Sequence, residues 1–369
     1  MKKIRLTSIC SPKQWRTIPT KDLLDEGYPV YGANGVIGYC KEYNHTSDTI
    51  IIGCRGSCGN VNIARGKSYI NGNAMCLDDL SSDVDILYLY YFLQNYDFRS
   101  VISGTTIPQV TKQGLEKIDV VVSSKENQRE IVRQLQLLDS IIEERHKELR
   151  YFDALIKSRF IEMFGTLSSN EQNFKVLTIE SLCSLIKDGT HQTPTYTEDT
   201  INGFKFLSSK DVMSKKIDWS DIKYIPSDLH EKLYAVVKPI KNDILMSKNG
   251  VNYGVAAVND TDEVFDIYVS LALLRPKTDI INPVYFRSAI NSPDTKRQFD
   301  SSIKGIGVPN LHLGEIKKTK ILVPPVDKQN EYVSFVEQVD KSKFYIVQIQ
   351  ILLRLLIRAI QQKTTEVLL

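Results

Sequence analysis

Gly104-Thr-Thr-Ile-Pro108-Gln109 is followed by Leu115, Lys117, the apolar run Val120-Val121-Val122, and then Gln128-Arg129-Glu130-Ile131-Val132. Further along, Gly305-Ile-Gly-Val-Pro309-Asn310 is followed by Ile316, Lys318, Ile321-Leu322-Val323 and Gln329-Asn330-Glu331-Tyr332-Val333. The two series are offset by 201 positions throughout (309 − 108 = 331 − 130 = 201), with no gap over about thirty residues. Solenoid units repeat every 20–50 residues or so, so a repeat of this length is a whole domain. The chain reads as two similar halves, and two similar halves suit two similar binding events on one pseudo-symmetric ligand.

Working outward, four segments emerge. Residues 1–126 mix short apolar runs with Gly, Asn and Ser turns. Ile50-Ile51-Ile52 and Val120-Val121-Val122 predict buried strands, and the stretch from Asp85 to Gln94 predicts a buried helix. Residues 127–165 contain no proline, and no glycine before Gly165. Positions 135, 142, 149, 156 and 163 are all apolar, while the companion row of Ile131, Leu138 and Phe152 is broken by Arg145 and Arg159. That is the heptad pattern of a long packed helix, and Gly165 stands where such a helix ends. Residues 166–326 return to the mixed pattern, with Phe204–Leu207, Asp243–Met246 and Val269–Leu274 predicted as strands. Residues 327–369 supply the second heptad helix, with Tyr332, Val339, Ile346, Leu353 and Ile360 in one row, and Val336 and Ile357 in a row broken by Lys343 and Gln350.

Each helix thus has one complete apolar row. The two are expected to bury these rows against each other as an antiparallel coiled coil, with a core of Leu135, Leu138, Ile142, Leu149, Ile156, Val336, Val339, Ile346, Leu353 and Ile357. The alternative is that each helix packs on its own globular segment. The expected fold class is α+β: two mixed α/β domains separated by two long helices, in a pseudo-two-fold arrangement.

Composition limits the function. A chain of 369 residues with 42% hydrophobic and 25% charged side chains has the makeup of a globular protein with room for two domains. The net charge of +3 permits nucleic-acid binding without requiring it. No apolar run approaches the roughly 20 residues of a membrane span, so a cytoplasmic protein with no membrane partner is expected. Cys54-Arg-Gly-Ser-Cys58 has the spacing of two metal ligands, but no second pair accompanies it. The six cysteines read as reduced thiols, and no metal is expected.

Catalytic signatures are missing too. Arg65-Gly66-Lys67-Ser68 ends like a phosphate-binding loop, yet Val61 stands where the earlier glycine belongs. Asn282-Pro283-Val284 lacks the second proline and the aromatic residue by which amino-methyltransferases hold a flipped base. The five histidines are scattered. No catalytic residue is expected, and a binding scaffold is favoured over an enzyme. Two other readings stand beside this one: a coiled-coil interaction scaffold without a nucleic-acid role, and a DNA-modification enzyme with an unrecognised site.

Several stretches together resemble the specificity subunit of type I restriction-modification systems. Asp188-Gly189-Thr190-His191-Gln192-Thr193-Pro194 is similar to that family's Asp-Gly-Thr-His-x-Thr-Pro segment, and Phe204–Val212 and Asp243–Gly250 resemble the strands that follow it. Tyr28–Tyr39 resembles a further family signature in the first half, and the Gly-x-x-x-Pro element and Gln-x-Glu helix start occur in both halves. The resemblance implies two target recognition domains, each reading half of a split double-stranded DNA sequence, with the long helices as a ruler. It also implies a non-catalytic subunit that recruits two methyltransferase subunits and restriction (motor-nuclease) subunits. S-adenosylmethionine, ATP and Mg would be used by those partners, with no cofactor in this chain. Reading bases in the major groove takes hydrogen-bonding side chains on loops. The candidates are Arg55, Lys67, Thr105, Thr106 and Gln109 in the first half, and Thr190, His191, Thr193, Lys210, Lys248, Asn249 and Asn310 in the second.

Overall fold

A computed structural model describes residues 2–104, 108–303 and 309–365. The chain forms two compact units, one made of Met1–Glu148 with Tyr345–Leu369 and the other of Leu149–Phe344.

In the first unit, β1 (Lys2–Arg5) leads through α1 (Leu6–Ile9) to β2 (Ser11–Lys13), β3 (Tyr28–Gly32), β4 (Gly35–Cys40), β5 (Thr49–Gly53), β6 (Val61–Ala64), β7 (Tyr69–Ile70) and β8 (Ala74–Asp78). Helix α2 (Ile86–Gln94), β9 (Ile102–Ser103), β10 (Gln109–Val110), α3 (Lys112–Leu115), β11 (Asp119–Val122) and the long helix α4 (Lys125–Phe164) follow. One sheet has the order β2-β8-β5-β6 and is antiparallel throughout. Another has the order β4-β3-β7, with β3 and β7 parallel. Strand β5 carries Ile50-Ile51-Ile52 because both its faces are covered: Ile50 and Ile52 enter a core with Leu89 and Phe92 of α2, and Ile51 packs with Ile70 and Cys76. A strand buried on both sides reads as an unbroken apolar run.

The second unit repeats this order: β12 (Lys175–Thr178), α5 (Ile179–Leu182), β13 (Cys183–Asp188), β14 (Phe204–Leu207), β15 (Lys223–Ile225), α6 (Ser227–Tyr234), β16 (Ile244–Ser247), β17 (Ala256–Val258), β18 (Phe265–Ile267), β19 (Leu271–Pro276), α7 (Pro283–Ile290), α8 (Pro293–Ser302), α9 (Leu313–Lys318), β20 (Lys320–Val323) and α10 (Val326–Thr365). Its sheets run β13-β19-β16-β17 and β15-β14-β18, the latter with β14 and β18 parallel. Strand β1 pairs with β11, and β12 with β20, both antiparallel. The duplication seen in the sequence over thirty positions therefore extends to the sheet orders of both units, with α6 and α8 added in the second and the β9–β10 pair in the first.

Side chains outside the repeated motifs do equivalent work. Tyr88 donates its hydroxyl to the Val121 carbonyl at 2.7 Å, and Tyr285 to the Leu322 carbonyl at 2.8 Å. Asp85 caps α2 by accepting the N–H of Leu87, and Asn282 caps α7 by accepting that of Val284. Gly59 and Gly254 both adopt φ near +82, where an L side chain is strained. A Cβ on Gly59 would lie 2.7 Å from Phe98, and one on Gly254 would lie 2.7 Å from Phe299. The repeat thus fixes a glycine turn against an aromatic ring in each unit.

The long helices contribute to each unit separately. In the first, Ile131 and Leu135 of α4 share an apolar cluster with Ile357 and Ile360 of α10, and Gln350 donates to the Ile142 carbonyl at 3.5 Å. In the second, Phe160 packs edge-on to Tyr332, and Lys343 pairs with Asp153 at 2.7 Å. Within either unit the two segments run antiparallel. Leu135, Leu138, Val336, Val339 and Ile346 are buried, while Ile142, Leu149, Ile156, Leu353 and Ile357 are half-buried. The polar residues that break the heptad rows find partners: Gln350 and Lys343 as above, Arg159 with Glu331 at 3.4 Å and Arg145 with Glu148 at 2.5 Å. Gly165 closes α4 by donating its N–H to the Ile161 carbonyl at 2.7 Å.

Over Val326–Gln362, α10 is long and apolar enough to cross a membrane by length and composition. Gln348, Gln350, Arg354 and Arg358 interrupt its apolar runs. In the first unit, Ile357 and Ile360 and the buried Gln361, which donates to the Tyr91 carbonyl at 3.2 Å, face α2. Val347, Ile351, Leu352, Leu355 and Leu356 are exposed.

Candidate nucleic-acid interface

At the end of β5 in the first unit, the chain turns through Cys54-Arg55-Gly56. Val110 donates to the Cys54 carbonyl at 3.1 Å, and a bridge joins Arg55 to Gln109. The structure therefore brings together two candidates that lie far apart in sequence. It adds two more that sequence reading missed. Asn60 follows the Gly59 turn, and its amide donates to the Asn34 side-chain oxygen at 2.6 Å. Asn34, Arg55 and Asn60 are exposed and Gln109 is half-buried, so one end of the unit carries four side chains able to hydrogen-bond base edges. The only sequence signal for the added pair was the turn dipeptide Asn34-Gly35 and its counterpart Gly59-Asn60. Lys67 lies elsewhere, beyond the opposite end of the β5–β6 hairpin, with its ammonium 5.2 Å from the centre of the Tyr43 ring. Thr105 and Thr106 lie outside the described residues.

The second unit builds the equivalent corner from β16. Lys248-Asn249-Gly250 follows the strand, Asn249 bridges Asn310, and Gly250 donates to the Pro309 carbonyl at 3.0 Å. Asn310 stands 201 positions after Gln109, and Asn249 takes the place of Arg55. Thr190 is held alongside by its bridge to Tyr268, and Lys248 donates its backbone N–H to the Ser270 carbonyl at 2.9 Å. Ser270 also accepts the Ser209 N–H at 3.0 Å, which places the 3-10 turn Ser209–Val212 beside it. Thr190, His191, Lys210, Asn249 and Asn310 therefore belong to one set of neighbouring loops. His191, Thr193, Asn249 and Asn310 are exposed. Lys210 is exposed but directed to Asp221 at 2.7 Å, and this hydrogen bond raises its pKa above the ordinary lysine value.

Lys248 does not fit the expectation of a surface reader. It is 5% exposed and its ammonium meets Asp188 at 2.5 Å. A buried charge stays buried only when paired, so Lys248 is a strut between β13 and β16.

The Cys54/Cys58 pair is engaged within its own loop. Cys58 donates to the carbonyls of Cys54 and Pro108 at 3.2 and 3.0 Å and ties the loop together. A different group, His45, Cys76 and Asp78, brings three possible ligand atoms within 4.8 Å of one another. Those atoms are engaged within the protein. His45 Nε2 lies 3.0 Å from Asp78, Trp15 donates to the Cys76 sulfur at 3.2 Å, and Cys76 donates to the Lys13 carbonyl at 3.2 Å. Burial, and then Asp78, push the Cys76 thiol up to about 12, away from the thiolate a metal requires. The geometry suits a structural network.

The comparisons with known proteins agree with this geometry. The family model described as type I restriction modification DNA specificity domain matches residues 1–151 and again 171–355. The type I restriction enzyme MjaVIII specificity subunit of Methanocaldococcus jannaschii is 22% identical over 289 residues, covering 74% of this chain and 68% of that one. A putative type I restriction enzyme specificity subunit of Haemophilus influenzae is 23% identical over 321 residues, covering 84% and 79%. Among solved structures, the type I restriction-modification S subunit from M. genitalium aligns over 100% of this chain and 96% of its own, with a TM-score of 0.53 at 18% identity. A chain from a study of complex assembly and conformational transition in the type I system aligns over 98% and 97%, with a TM-score of 0.62 at 16% identity. A family model matched twice, once per unit, joins the duplicated topology to a non-catalytic role, and the chain belongs to the type I restriction-modification DNA specificity family.

Proposed function

We propose that this specificity subunit reads a bipartite, asymmetric double-stranded DNA target, one half per unit, and directs methyltransferase and restriction subunits to it. The observation that carries the reading is the pair of equivalent corners with different side chains. One presents Arg55 and Gln109, and the other presents Asn249 and Asn310. Arginine pairs best with guanine, while asparagine and glutamine pair best with adenine, so like scaffolds with unlike readers suit two different half-sites. The long helices act as the ruler that fixes the gap between half-sites, because a stiff helical pair holds a distance that a flexible linker does not.

The exposed row of Val347, Ile351, Leu352, Leu355 and Leu356 on α10 supports docking of partner subunits, since an apolar stripe of this kind marks an interaction surface. The partners are two methyltransferase subunits using S-adenosylmethionine and motor-nuclease subunits using ATP and Mg, all in the cytoplasm. The net charge of +3 supports weak DNA binding by the subunit alone, with the methyltransferase subunits adding phosphate contacts. The test is to map methylated sites in a genome expressing the chain with its cognate methyltransferase. A split motif with a fixed gap is expected. A contiguous motif, or methylation by this chain alone, would contradict the reading.

A further inference from the structure

A cavity of about 90 Å³ opens in the second unit, where α4, α7 and α10 meet the loop after the Ser209–Val212 turn. At about 10–15 Å³ per water position, it has room for several waters. Five cations line it: Lys157, Lys215, Lys216, Arg287 and Lys343. Lys343 is paired with Asp153 at 2.7 Å and Lys216 with Asp340 at 3.1 Å. Lys157, Lys215 and Arg287 have no ion-pair partner among the described residues, so three positive charges remain uncompensated around one small space. Lys215 is exposed as a residue, yet its ammonium is held below the ordinary lysine value. Burial is the first cause, followed by Lys157, with Asp153 opposing and Arg287 and Lys343 adding to the effect.

A second observation is independent of charge. Tyr332 is fully buried; no protein atom meets its hydroxyl in good hydrogen-bond geometry, and Ser288 beside it offers only a poorly placed one. Its ring packs against Phe160, Phe164 and Tyr285, while the polar groups around its hydroxyl are Ser288, Arg287 and Asp340, which line the cavity. Ser288 directs its own proton to the Val284 carbonyl at 3.0 Å. A buried hydroxyl with only a poorly placed protein partner, beside three cations that have no ion pair, suits a site whose missing component is an anion. The duplicated fold does not demand it. The position equivalent to Tyr332 in the first unit is Ile131, and Tyr90 stands where Arg287 does, given the matching roles of Tyr88 and Tyr285.

We propose that this cavity binds a small phosphate-bearing anion, either inorganic phosphate or the terminal phosphate of a nucleotide, with Arg287, Lys215 and Lys157 neutralising it and the Tyr332 hydroxyl donating to it. A tetrahedral anion of more than one negative charge matches three cations and a neutral donor better than a single carboxylate does, and arginine suits its geometry.

The test is calorimetric titration of the full chain, in phosphate-free chloride buffer, with inorganic phosphate and with metal-free ATP, alongside thermal unfolding. Phosphate is expected to raise the Tm more than sodium chloride of equal ionic strength. Lys215→Asn and Arg287→Gln should each weaken binding by about ten-fold or more, as loss of one charge-assisted hydrogen bond does, and Tyr332→Phe should weaken it by less. Without phosphate, Lys215→Asn should unfold no earlier than the parent, because it removes repulsion. Stabilisation no greater than that given by chloride overturns the proposal, as do unchanged affinities in Lys215→Asn and Arg287→Gln. Displacement of phosphate by a short duplex of unrelated sequence, with the same dependence on Lys215, would make the cavity a DNA-backbone contact and also overturn it. The source of the phosphate follows from whether ATP binds more tightly than the free ion.

Discussion

Gln329 accepts the backbone N–H of Asn282 at 2.7 Å through its side-chain oxygen, and its amide donates to the carbonyls of Ile280 and Pro324 at 3.1 and 2.8 Å. The first turn of α10 is thereby fastened to the start of α7. Gln128 repeats the arrangement in the first unit, accepting the Asp85 N–H at 2.8 Å and donating to Asp83 and Ser123 at 2.9 and 2.8 Å. Both glutamines are fully buried. Replacing either with leucine removes the partner of three partly or fully buried backbone groups, each costing about 1–3 kcal/mol where water cannot reach it. Urea unfolding should show Gln329→Leu destabilised by at least about 2 kcal/mol, and Gln128→Leu similarly; a loss under about 0.5 kcal/mol would show that the bonds are dispensable.

The glycine turns give a second expectation. Gly59→Ala and Gly254→Ala would each combine a left-handed backbone with a clash against Phe98 or Phe299. Each should lower stability by about 1–3 kcal/mol, whereas Gly314→Ala, where an added Cβ meets nothing within 4 Å, should not. Thermal unfolding of the three variants side by side decides this.

The parts of this fold that were legible in the sequence share one property: their signal is local. The unbroken apolar run of β5, the helix after Asp85 and the heptad rows of α4 and α10 each show in a window of a few residues to a few turns. The matching sheet orders did not show. β2 is Ser11-Pro-Lys and β13 is Cys183–Asp188, and a core strand needs only the right volume and polarity, so topology persists without identity. The corner residues were legible as turn dipeptides but not as neighbours: Arg55 meets Gln109, and Asn249 meets Asn310, across more than fifty residues. Lys248 read as exposed because its partner Asp188 is sixty positions away. The cation cavity draws on four separate elements, and no single stretch of sequence announces it.

The thiols make a pH-dependent prediction. Burial first of all raises Cys10, Cys76 and Cys183 to about 12 and Cys54 to about 11, from an ordinary value of 9.0. A group whose folded pKa is raised contributes stability that is complete below its unfolded pKa and is lost as pH rises through the folded one. Stability should therefore fall between pH 9 and about 12. At pH 8 iodoacetamide should alkylate Cys58, the one thiol that is not buried, before the other five. Mass spectrometry showing early labelling of Cys76 or Cys183 would contradict the packing described.

The ruler can be lengthened. Inserting one heptad into both α4 and α10 adds about 10 Å of helix at 1.5 Å per residue, equal to about three base pairs. The gap in the recognised sequence should lengthen accordingly or methylation should fail, with the bases of both half-sites unchanged. Altered bases with an unchanged gap would assign the helices another role.

The central claim is that the two units read separate half-sites, and the most direct measurement is binding of the chain with its methyltransferase subunits to duplexes mutated in one half-site at a time. A base contact contributes roughly 1–3 kcal/mol of discrimination, while a phosphate contact affects all sequences alike. Alanine at Arg55 or Gln109 should relax discrimination at one half-site only. Alanine at His191, Thr193, Lys210, Asn249 or Asn310 should relax it only at the other. Equal loss at both half-sites from Arg55→Ala or Asn310→Ala would contradict the account.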